Sequence, residues 1–183
     1  AAGLAVLATR EPGGSHGAEH IRELLVNGAV ERWDAMTEAL LHFAARRDHL
    51  AKAVWPALEA GRWVVCDRFT DSTVAYQGFG LGLGRETVEA LGRVAIGAFA
   101  PDLTLILDLP VEAGLARAEK RGHGHHRYER MDRAFHERLR QGYLEIAKSD
   151  PERCVVIDAA RGPEEVRRDI RAAVKSRLDL EIG

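Results

Sequence analysis

Four short apolar runs punctuate this chain, each parted from the next by long stretches of helical periodicity. Leu4–Ala8, Trp63–Cys66, Leu103–Leu109 and Cys154–Ile157 are continuous and rich in strand-forming residues. Such runs fit strands covered on both faces, as in a parallel sheet flanked by helices. Helical patterns fall at about 17–26, 35–59, 85–97, 111–120, 131–148 and 163–178. Pro163 followed by Glu164 and Glu165 starts the last of these with a fixed φ and two acids against the helix dipole. Gly61 stands where the long second pattern should stop. An α/β fold with a parallel sheet is expected, and 183 residues fit a single domain, 1–183.

The second helical pattern carries two stripes. Leu40, Phe43, Leu50, Val54 and Leu58 recur at three- or four-residue intervals and are expected to be buried. His42, Arg46 and His49 lie on a different stripe, with His42 and Arg46 one turn apart. Taken alone, that second stripe reads more readily as a solvated face.

Charge and cysteine usage narrow the function classes. A net charge of −2 argues against a nucleic-acid coat or a membrane-surface binder. Arginine outnumbers lysine 22 to 4, and its planar fork suits phosphate and carboxylate. No apolar stretch approaches the ~20 residues that span a bilayer, and no secretory leader is evident. Cys66 and Cys154 sit in separate apolar runs without paired or metal-site spacing. They read as small hydrophobes in a reducing cytoplasm.

Four polar clusters follow the apolar runs, where ligands gather in open α/β sheets. Thr9-Arg10-Glu11-Pro12-Gly13-Gly14 follows the first, its glycines allowing close backbone approach and Arg10 and Glu11 supplying charge. Asp67-Arg68 follows the second, an acid placed to hold Mg²⁺ through water and an arginine placed to fork onto a phosphate. Ser72, Thr73, Tyr76 and Gln77 then offer hydroxyls and an amide at near-helical spacing, although Ser72 and Thr73 also suit a helix cap. Arg117, Arg121, Arg127, Arg130 and Arg133 flank a glycine-containing stretch at 122–126, as in a lid that neutralises transition-state charge. His123, His125 and His126 lie there without acid or thiol partners at a metal-site spacing. Asp158-Ala159-Ala160-Arg161 follows the last run.

In order and spacing these segments resemble the thymidylate kinase family of nucleoside monophosphate kinases, over nearly the whole chain. The matching segments are Thr9–Gly14, Ala44-Ala45-Arg46, Asp67-Arg68 with Ser72–Gly78, Pro101–Asp108 and Arg127-Tyr128-Glu129. The resemblance implies a P-loop NTPase-like three-layer sandwich with strand order 2-3-1-4-5. It implies transfer of the γ-phosphoryl of ATP to thymidine monophosphate (dTMP) with Mg²⁺, by a cytoplasmic homodimer that engages neither nucleic acid nor membrane. Arg68 would hold the acceptor phosphate and Asp67 the magnesium-bound water. Arg46, Thr73 and Gln77 would read the thymine, His42 or Phe43 would stack on it, and Ser72 would line the same site. Tyr76 would pack under the deoxyribose, Arg10 and Glu11 would line the phosphate region, and Arg121 and Arg127 would close over the donor phosphates from a lid at about 121–133. Ala159 and Ala160 would border the donor's base.

The chain also departs from the family pattern. No Gly-x-x-x-x-Gly-Lys-Ser/Thr string occurs in it. The four apolar runs therefore answer to family strands 2, 3, 4 and 5, with a gap expected between Trp63–Cys66 and Leu103–Leu109 where strand 1 would lie. A longer native chain carrying that strand and the phosphate-binding loop is expected. Two other readings stand beside the kinase. One is a catalytically silent nucleotide-binding or dimerisation module, and the other is a different deoxynucleoside or nucleotide kinase.

Overall fold

A computed structural model describes residues 3–121, without the Arg121 side chain, and 127–180. The order of elements is β1 (Val6–Arg10), α1 (His16–Val26), α2 (Ala35–His49), α3 (Trp55–Glu59), β2 (Trp63–Asp67) and α4 (Thr70–Thr73). It continues with α5 (Arg85–Ile96), β3 (Thr104–Asp108), α6 (Val111–Arg121), α7 (Arg133–Ser149), β4 (Cys154–Asp158) and α8 (Pro163–Leu178). All four expected strands form, and the alternation is that of an α/β protein.

The strands make two parallel ribbons. β1 pairs with β2 in the register Val6↔Trp63 to Arg10↔Asp67, and β3 pairs with β4 from Thr104↔Cys154 to Asp108↔Asp158. No ladder joins β2 to β3 among the described residues. The break falls at the expected gap. Burial on both faces, however, does not hold. Val6, Val65, Leu107 and Val156 are 44%, 63%, 53% and 43% exposed. A sheet divided into two-stranded ribbons leaves open positions that a continuous sheet would cover.

The long second helical pattern is one helix with a π turn at Leu50–Val54 joining α2 to α3. Pro56 explains the wider turn, because it has no N–H to give the carbonyl four residues back and its ring crowds that carbonyl. The expected apolar stripe is corrected at its ends. Phe43, Leu50 and Val54 are buried, whereas Leu40 and Leu58 are half exposed. The other stripe turns inward instead, with Arg46 2% and His49 0% exposed. A second π turn at Val74–Gly80 extends α4.

The main core gathers Phe43, Val74, Val88, Ile106, Phe135 and Ile146 from four helical segments and one strand. A polar cross-tie joins the two ribbons beside it. Arg153, just before β4, donates Nη1 and Nη2 to the two oxygens of Asp71 at 2.6 and 2.9 Å, and Thr104 Oγ1 donates to the same carboxylate at 3.1 Å. No described helix is long and apolar enough to cross a membrane.

Candidate active site

The loop after β1 is locked from both sides. Glu11 N–H donates to Asp67 O at 2.9 Å, extending the β1–β2 ladder past its carboxyl end. The Glu11–Pro12 peptide is cis. Gly14 follows at φ +84, and a Cβ there would lie 2.4 Å from His49 Nε2 and 2.5 Å from Thr9 Oγ1. Glycine is needed at that position for space as well as for conformation. This close approach brings the loop onto α2.

Glu11 then anchors the inward stripe of α2. Its Oε2 accepts from Arg46 Nε at 2.7 Å and its Oε1 from His49 Nδ1 at 3.0 Å. A carboxylate only accepts, so His49 carries a proton on Nδ1. Arg46 Nη2 donates to Thr73 Oγ1 at 3.0 Å, while Nη1 is buried without a partner among the described residues. Phe43 and Phe69 bracket the guanidinium, each ring centroid about 5 Å from Cζ.

A second buried carboxylate begins the same stripe one turn earlier. Glu38 is fully buried and takes three donors: Gln77 Nε2 at 2.7 Å, Tyr128 Oη at 2.9 Å and the Arg127 guanidinium. Arg127 also donates to Leu25 O and Val30 O at 3.1 and 2.8 Å, so its charge is wholly committed inside the protein. Burial and Glu38 raise the Tyr128 phenol, which keeps its proton and spends it on that carboxylate. His42 Nε2, 3.0 Å from Tyr128 Oη, must then be the donor of that pair. Burial, followed by repulsion from Arg46, Arg127 and Arg68, holds His42 down at about 3, so the imidazole is neutral.

These groups enclose a cavity of about 250 Å³, lined among others by Glu11, Arg22, His42, Arg46, Asp67, Arg68, Ser72, Thr73, Tyr76 and Gln77. The π turn lets Tyr76 and Gln77 share this wall with Ser72 and Thr73. Arg68 adopts φ +70, an uncommon conformation for a side-chain-bearing residue. Its Cζ lies 5.0 Å from the Tyr76 ring centroid, and Nη1 reaches Tyr143 Oη at 3.4 Å. Arg22 points at the same space. Burial lowers its pKa, and repulsion from Arg10 and Arg68 adds to the effect.

A larger hollow of about 330 Å³ borders α5. Most of its charges pair with one another, Arg153 with Asp71 and Asp150 and Arg85 with Glu89, which leaves little for a ligand. Glu11, His49 and Cys66 also cluster closely enough to suggest a metal. Burial and the neighbouring Glu11 push the Cys66 thiol up to about 12, and Glu11 already serves Arg46, so the cluster is a hydrogen-bonded core. Asp67 is a better cation ligand. It is exposed at the cavity rim, and its carboxylate has no hydrogen-bond partner among the described residues. One hard carboxylate facing open space fits Mg²⁺ that keeps waters and takes further oxygens from phosphates.

Several sequence-derived residues lie elsewhere. Phe43 packs in the main core and touches the cavity only through Arg46. Arg10 forms an exposed ion pair with Glu19 at 3.0 Å. Arg127 sits beneath the cavity on Glu38, not in a projecting lid. Ala159 and Ala160 belong to the turn after β4, where Ala159 O accepts from Arg117 at 3.0 Å. The Arg121 side chain and the histidines at 123, 125 and 126 fall outside the described residues. Sequence reasoning missed Glu38 and Arg22, yet spacing could have found both. Glu38 stands four residues before His42, and Arg22 lies between buried Ala18 and Leu25 at helical intervals.

Parallel strands with an arginine-lined cavity past their carboxyl ends define an α/β protein built for a phosphorylated ligand. The family model described as Thymidylate kinase matches residues 1–170, and the chain belongs to that family. It is 56% identical to a thymidylate kinase of Caulobacter vibrioides over 180 residues, covering 98% of this chain and 86% of that one. It is 50% identical to those of Rhizorhabdus wittichii, covering 91% and 80% of the two chains, and Pseudomonas putida strain F1, covering 97% and 84%.

Proposed function

We infer that this protein transfers the γ-phosphoryl group of ATP to dTMP, giving the diphosphate and ADP on the route to dTTP. The observation that carries this reading is the convergence of Arg68, Arg46, Thr73, Tyr76 and Gln77 on one cavity in a chain of this family. Arg68, with Arg22 behind it, holds the acceptor phosphate. Arg46 and Gln77 meet the base edge, helped by Thr73. Neutral His42 faces the ring, and Tyr76 fills the space a ribose 2′-hydroxyl would need. Asp67 holds Mg²⁺, which when bound neutralises charge on the phosphates. Little covalent work falls to the protein, because positioning and electrostatic stabilisation carry phosphoryl transfer.

In this reading the lid expected at about 121–133 is confined to the stretch ahead of the buried Arg127, with Arg121 as its donor-facing arginine, and Ala159 and Ala160 border the donor's base. The protein works in the cytoplasm, in keeping with its free cysteines, and has no part in nucleic-acid or membrane binding. It forms a homodimer through α2 and α5, supported by Val94 at 89% and Leu40 at 50% exposure on those helices.

Calorimetry with dTMP, thymidine and dTDP, alongside ATP-dependent turnover of dTMP, tests the assignment. Arg68→Gln should weaken dTMP binding about tenfold or more while leaving thymidine affinity little changed. A protein that binds none of the three nucleotide forms would refute it. Retained dTMP binding without turnover by the longer native chain expected above would favour a silent nucleotide-binding module.

A further inference from the structure

Two polar atoms on the cavity-lining residues are buried and unpaired among the described residues: Arg46 Nη1, which can only donate, and Gln77 Oε1, which can only accept. An amide side chain has two ends of opposite character, and which end faces a ligand depends on what holds the other. In Gln77 the other end is held by Glu38. Its carboxylate only accepts, so Gln77 must turn Nε2 towards it, and Oε1 is left for the ligand. Glu38 is in turn held fast by Tyr128 and Arg127, at 0% exposure.

We propose that Glu38 is a specificity-determining positioning residue, fixing Gln77 as an acceptor so that the pocket reads a pyrimidine imide edge and rejects an amino-pyrimidine. The inference rests on the assignment of this cavity as the dTMP site. An imide edge offers an N–H beside a C=O, matching one orphan acceptor and one orphan donor. Cytosine presents the reverse, a bare ring nitrogen beside an amino group. It would set acceptor against acceptor and donor against donor, leaving buried groups unpaired on both sides. Glu38 touches no substrate in this scheme and acts through Gln77.

The test is calorimetric binding of dTMP, dUMP and dCMP to the wild-type protein and to Glu38→Gln. Wild type should bind dTMP and dUMP about tenfold or more tighter than dCMP. In Glu38→Gln the substituted amide can donate to Gln77 Oε1, so Gln77 can present its nitrogen instead. The dTMP-to-dCMP preference should then fall severalfold without vanishing, because Arg46 Nη1 still opposes the cytosine amino group. Equal proportional loss for both nucleotides would mark Glu38 as merely structural and overturn the proposal. Should Arg127 be left without a counter-charge and the variant not fold, Glu38→Gln combined with Arg127→Met removes both charges for the same measurement. The wild type supplies a further check. In ¹⁵N spectra the Gln77 side-chain amide protons should stay protected from water exchange when dTMP saturates the site, and their release would overturn the proposal. A wild type that binds no pyrimidine monophosphate would remove the site assignment and this proposal together, whereas an unselective wild type would remove this proposal alone.

Discussion

Arg46 Nε and Glu11 Oε2 lie 2.7 Å apart, with side chains 2% and 3% exposed, so the loop after β1 and the middle of α2 share one buried ion pair. The carboxylate also serves His49, and the guanidinium also serves Thr73. Removing one member leaves a charge stranded in the interior. Glu11→Ala is expected to cost about 3–5 kcal/mol of folding stability, with dTMP binding lost in parallel. Urea denaturation followed by circular dichroism measures the first effect. A loss below about 1 kcal/mol, the range of exposed pairs, would contradict the buried geometry.

The tie between the ribbons makes a second prediction. Asp71 takes two bonds from Arg153 and one from Thr104, across a gap that no strand pairing bridges among the described residues. Asp71→Ala should lower stability by about 2–3 kcal/mol, short of the full buried-pair figure because Arg153 keeps Asp150 as a partner. Thr104→Val should cost about 1 kcal/mol. Equal effects from the two variants would show that the charge contributes nothing beyond a neutral hydrogen bond.

Acidification supplies the third. His42 is held at about 3 when folded, chiefly by burial, and burial also lowers His136. In the unfolded chain both return to about 6.5. Below that value the unfolded state binds protons that the folded state refuses, so stability is complete above pH 6.5 and declines as pH falls towards 3. The urea midpoint should therefore drop between pH 6.5 and 5, before most carboxylates titrate. The drop should be shallower in His42→Gln. A midpoint that is level or rises on acidification would contradict a neutral His42.

Much of this was legible in the sequence because the strands are short apolar runs that end in charged residues. Asp67 and Arg68 announce themselves by following Cys66, and Asp158 by following Ile157. Burial was harder to read. Arg46 and His49 look like a solvated stripe, and only their partners, Glu11 from 35 or more residues earlier and Thr73 from 27 later, make burial tolerable. Such partnerships are tertiary, and no local period encodes them. The same holds for Arg127, whose place beneath the cavity depends on Glu38, 89 residues away. Phe43 and His42 differ by one position on a helix, about 100° of rotation, which is enough to send one ring to the core and the other to the cavity.

Glu38 has two oxygens for three donors, Gln77 from one stretch of chain and the neighbours Arg127 and Tyr128 from another. The floor of the pocket is therefore not three separable contacts. Withdraw the arginine, the phenol or the amide, and the remaining two face an anion whose neutralisation has changed. Polar clusters of this kind form or fail together, so the surface that meets the base gains its rigidity from two residues, Glu38 and Arg127, that do not line it.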